Sequence, residues 1–190
     1  MKRIAYRIDR GHPTAVTAVL LMLTAAVLRT VYFWGKTLTP LVFWVHFITP
    51  VAASVLFAVA VLFFGERRAY LTAVPVAMGV FFFMIKAFTF PSRLHTVLCL
   101  ILYAAVLVLF SLTVCGILPT KKLLYPLFGL PFLYHLLIED MVLYVFADPR
   151  PPFFEWLPEL SVLCILLGLF FLGIALKPKQ TSCQKQENMI

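Results

Sequence analysis

Six ionisable side chains interrupt stretches of this 190-residue chain that are otherwise almost pure hydrocarbon: Arg29, His46, Lys86, His135, Glu139 and Asp140, with His95 and Glu159 placed just inside two further apolar stretches. Two arrangements among them can carry chemistry. His135 and Glu139 are four apart, as are Pro131 and His135, so all three share one helix face. Asp140 sits about 100° around from Glu139 and widens that polar face. His46, Pro50 and Ser54 repeat the same four-residue spacing. Each histidine therefore has a proline one turn away, and interrupted helices with polar side chains at depth are how membrane proteins line water-filled cavities. Arg29 and Lys86 supply positive charge to pair with Glu139 and Asp140. The same residues read first as a structural salt-bridge network, and after that as a solute or ion site.

Catalytic alternatives are thinner. His135, Glu139 and His46 offer metal-ligand atoms, but a catalytic zinc needs three protein ligands and an open position, and here the third must come from another helix. Neither a Gly-x-Ser-x-Gly elbow nor a phosphate-cradling glycine loop occurs, which removes serine-hydrolase and ATP-binding signatures. Four cysteines (Cys99, Cys115, Cys164, Cys183) form no CxxC pair, against a thiol-redox enzyme. GxxxG dimer motifs and internal repeats are absent. No metal or other cofactor is expected.

The elements that must position these residues follow from composition. Apolar side chains make up 63% of the chain and charged ones 13%, with a mean hydropathy of +0.99. A soluble domain sits near roughly 45–50% and 25%. A helix needs about 20 apolar residues to cross the bilayer core. Six stretches qualify: 13–34, 40–64, 70–89, 95–117, 123–147 and 157–176. Short polar breaks separate them, so sequence neighbours become antiparallel neighbours. The fold class expected is all-α: a polytopic bundle of six transmembrane helices spanning 13–176, preceded by a basic segment 1–12 and followed by a polar tail 177–190. The first apolar run is longer than a signal-peptide core, so it is read as a retained span.

Orientation comes from Lys and Arg. With both termini inside, eleven of the sixteen basic residues face the cytoplasm, among them Arg7, Arg10, Arg67, Arg68, Lys121, Lys122 and Lys177. Trp34, Trp44 and Trp156 then mark outer helix ends. Converted to depth, the ionisable side chains concentrate in the outer half of the bundle, with His135 near the midplane. The net charge of +8 sits in juxtamembrane loops, where it attracts anionic lipid rather than nucleic acid. The connection Ala147–Trp156 holds three prolines and three aromatics, and reads as an outer lid or as an anchor for the last helix.

In size and in its layout of six helices with both ends inside, the chain resembles the substrate-binding S-components of energy-coupling-factor vitamin transporters. Their first helix carries an Ala-x-x-x-Ala face, where this chain has Met22 after Ala18 and Arg29 after Ala25. The resemblance implies a cavity open to the outside in a bundle that works with a membrane partner. The functional expectation is a non-enzymatic, solute-binding or transport-related protein of the cell (inner) membrane, its outward pocket built from His46, His135, Glu139 and Asp140 with Arg29 or Lys86 as counter-charge. The alternatives are a membrane-embedded enzyme acting on lipid or peptide, and a scaffold or assembly factor.

Overall fold

The computed structural model describes residues 6–65, 67–88, 93–115, 117, 130–131, 133–137 and 152–178. They are mostly helical. Among them five helices are long and apolar enough to cross a membrane: α1 (Pro13–Phe33), α2 (Val42–Phe64), α3 (Ala69–Ala87), α4 (Arg93–Val114) and α5 (Leu157–Ala175, entered through a 3₁₀ turn Phe153–Trp156). Residues 133–137, around His135, are also helical. Glu139 and Asp140, and most of the stretch 123–147, lie outside the described residues.

Local chemistry sets the helix ends. Pro13 occupies the first turn of α1, where a missing N–H costs nothing, and His12 caps it by accepting from the Thr14 amide at 3.4 Å. Gly35, at φ +72°, stops the helix in the left-handed region that a side chain resists. Pro158 plays the Pro13 role in α5. In α2 the first two turns, Val42–Ile48, are π-wound ahead of Pro50, and the Thr49 N–H reaches back to the Trp44 carbonyl.

The helices pack in the order α5–α1–α2–α3–α4. The α1–α5 contact is the closest, because α1 presents a face of small residues (Ala15, Ala18, Ala25, Ala26) and α5 answers with Gly168. A methyl at Gly168 would meet Met22 Cε at 3.1 Å and the Ala18 carbonyl at 3.3 Å. Phe57, Phe82, Phe83, Phe110 and Leu172 are the large, fully buried side chains of the interior. The opposite helix faces carry exposed hydrocarbon, such as Leu20, Val27, Phe63, Phe81 and Ile101. A soluble monomer does not display apolar faces of this extent. Bundle and exterior together describe a multi-span membrane protein.

One element departs from the all-helical expectation. Tyr6–Ile8 (β1) pairs antiparallel with Leu176–Pro178 (β2), so the segments flanking the bundle form a two-stranded clasp. Its inward residues Tyr6, Ile8 and Leu176 are buried, while Arg7 points out. The Ile8 amide donates to the Gly65 carbonyl at 2.7 Å, Arg10 Nη1 to the Leu62 carbonyl at 2.8 Å and Lys177 Nζ to Asp9 Oδ2 at 3.0 Å. A three-residue alternation of this kind is too short to separate from loop by periodicity.

Candidate functional site

At the end of the bundle away from the clasp, four helices bring ionisable groups together. Arg29 lies on the same face of α1 as Ala18, Met22 and Ala25, at helical spacing, and that face is turned into the bundle. The residue as a whole is only 3% exposed. Nε donates to Ser161 Oγ at 3.2 Å, Nη1 to the His46 carbonyl at 2.6 Å and Nη2 to the Pro158 carbonyl at 3.2 Å. The His46 bond has a covalent origin. Pro50, four residues on, has no N–H to offer that carbonyl, and Arg29 supplies one. The Phe82 ring closes the remaining side, 4.8 Å from the guanidinium carbon. The same ring receives the His46 imidazole edge-on at 6.0 Å.

Glu159, in the first turn of α5, is the second centre. Its Oε2 accepts from Lys86 Nζ of α3 at 2.7 Å and lies 3.1 Å from His135 Nε2. His135 is 1% exposed and Glu159 12%. A carboxylate at that depth is held by the two partners that share its oxygen, since an uncompensated one would carry a large desolvation cost.

An aromatic layer covers this core. Tyr32 Oη donates to Glu155 Oε2 at 2.8 Å, and Phe154 stacks on the Tyr32 ring with centroids 5.5 Å apart. Lys36 Nζ sits 3.4 Å from the Tyr32 ring centroid and 4.0 Å from Glu155 Oε1. Among the lid residues expected from the sequence, Phe154 and Glu155 therefore lie against the end of α1, and 147–151 fall outside the described residues. Between this layer and the buried pairs is a pocket of about 360 Å³, lined chiefly by Arg29, His46, Lys86, Glu159 and the rings of Tyr32 and Phe82.

Of the six residues singled out in the sequence, the structure assembles Arg29, His46, Lys86 and His135; Glu139 and Asp140 lie outside the described residues. Among the described residues the acid that pairs with Lys86 and His135 is Glu159. Sequence reasoning placed it only as a first-turn acid, although its depth in α5 matches that of Lys86 in α3. Ser161 was likewise not expected as a partner of Arg29. Pro50 and Ser54 face inward as their spacing with His46 requires. Among the described residues no three His, Cys, Asp or Glu side chains are grouped to hold a metal ion. Comparison with known proteins returns no match: no family model, curated protein or solved structure is significantly similar to the chain.

Proposed function

We propose that this is a six-span protein of the inner membrane, both ends cytoplasmic, that binds a small solute in the pocket at its outer end and serves in solute capture or transport rather than catalysis. The observation that carries the reading is the pocket itself. At about 360 Å³ it falls in the size range of small-molecule sites, with rings for walls and a few convergent polar groups.

Two features support the topology. The clasp draws the start of α1 and the end of α5 to one end of the bundle. Five crossings cannot return a chain to its starting side, so a sixth in the stretch 123–147 reconciles the count. The clasp end also carries Arg7, Arg10, Arg67, Arg68 and Lys177, the basic excess expected against anionic lipid at the cytoplasmic face.

The test is ligand-dependent stability. The full chain in mild detergent is melted with and without members of a panel of small polar and amphiphilic solutes. A compound that raises the melting temperature of the wild type but not of Glu159→Gln supports a pocket site. Protection indifferent to Glu159, or none across the panel, counts against it. A second reading rests on the His135–Glu159 contact, because a carboxylate that orients an imidazole is the pairing a general base needs. A membrane-embedded enzyme acting on lipid or peptide would lose turnover in His135→Ala while its fold persists.

A further inference from the structure

Resting on the solute-pocket reading, we infer that Arg29 is an anion anchor, and that the ligand carries an oxyanion, carboxylate or phosphate, on an apolar body. A guanidinium has five N–H donors and is ionised at every accessible pH. The three that Arg29 uses go to neutral acceptors: Ser161 Oγ and the carbonyls of His46 and Pro158. No carboxylate oxygen among the described residues comes within ion-pair distance of it. The pairs that do form join Lys36 to Glu155, Lys86 and His135 to Glu159, and Lys177 to Asp9.

Carbonyl dipoles and the Phe82 face solvate the charge without cancelling it. A charged side chain 3% exposed in a membrane bundle is costly, and it ordinarily marks a pathway or a counter-ion for a ligand. Among the described residues, the two carboxylates that line the same pocket, Glu155 and Glu159, are already engaged by cations. What Arg29 presents to the pocket is therefore a positive charge with one N–H left on each terminal nitrogen. A planar guanidinium of this kind matches a carboxylate in two-point fashion. Phe33, Val42 and Phe82 line the same space and suit an apolar or aromatic body beside the acid.

The experiment melts the full-length protein in mild detergent with three isosteric probes: 3-phenylpropionate, 3-phenylpropionamide and 3-phenylpropylamine. The carboxylate is expected to protect, and the amide and amine to fail. Arg29→Gln should weaken the carboxylate by at least about tenfold, the loss of a charge-assisted hydrogen bond. Arg29→Lys, which keeps the charge but not the fork, should fall between, and it keeps the test alive if the Gln variant does not fold. Repeating the melt in phosphatidylglycerol against phosphatidylcholine nanodiscs separates the sources of the anion. Arg29-dependent protection by phosphatidylglycerol assigns the anion to a lipid headgroup, and Arg29-dependent protection by the free acid assigns it to a solute. Protection by the amine that is lost in Glu159→Gln would overturn the anion inference and leave the pocket reading standing. Protection by neither free probes nor anionic lipid would overturn both.

Discussion

Glu159 Oε2 is shared by Lys86 Nζ at 2.7 Å and His135 Nε2 at 3.1 Å, so one atom ties α3, α5 and the helical residues around His135 together. Replacing it by Gln removes the carboxylate that Lys86 and His135 share. The expected cost is about 3 kcal/mol, the lower end for breaking a buried pair because Lys86 keeps 22% of its side-chain surface exposed. Thermal or denaturant unfolding in detergent measures it, and the double variant Lys86→Met/Glu159→Leu should regain part of the loss. Asp9, at the clasp, gives a pH signature of known sign. The hydrogen bond from Lys177 holds its carboxyl below the ordinary value of 3.8, helped by the Lys177 charge and the Gly11 amide. A lowered folded pKa stabilises fully above the unfolded value and is lost as pH falls through the folded one. Amide-exchange protection of Tyr6–Ile8 should therefore be constant from neutral pH down to about pH 4 and drop below it. Asp9→Asn should abolish that acid step.

At the scale of elements, the α1–α5 crossing depends on the absence of a side chain at Gly168. Its neighbours there are Met22, whose flexible end can shift, and the Ala18 backbone, which cannot. Gly168→Ala should cost about 1 kcal/mol and Gly168→Leu about 3 kcal/mol or more, as overpacking generally does. Because Arg29 and Ser161 face each other across this crossing, Gly168→Leu should also weaken any ligand that depends on Arg29, read as a lower protective shift at equal ligand concentration. Helix bounds were legible in the sequence to within a few residues: 13–34 against Pro13–Phe33, 40–64 against Val42–Phe64, and 157–176 against Leu157–Ala175. Hydrocarbon length and proline or glycine punctuation are local properties, so they survive in one dimension. The clasp was not legible, because strand pairing joins residues about 170 apart through three-residue runs.

For the whole molecule, the clasp and the pocket sit at opposite ends of one bundle, which makes sidedness measurable. Single cysteines placed at Lys36 and at Arg67, in a background with the native cysteines removed, should label from opposite sides. An impermeant maleimide applied to intact cells is expected to reach position 36 alone. Labelling of both or of neither would contradict the proposed topology.

The amino-acid sequence by itself determined the solvent, the number of apolar runs, the concentration of ionisable side chains toward one end, and four members of the cluster found there. These follow from transfer energies and helix rise, which act on each segment separately. Tertiary structure alone decided who partners whom. Lys86 and His135 converge on Glu159, and Arg29 turns to Ser161 and to a carbonyl that Pro50 leaves without an N–H. Depth along a helix can be counted in residues. Azimuth between helices cannot, because it is set by how small faces such as Ala18 and Gly168 dock, and a partner is chosen by azimuth as much as by depth.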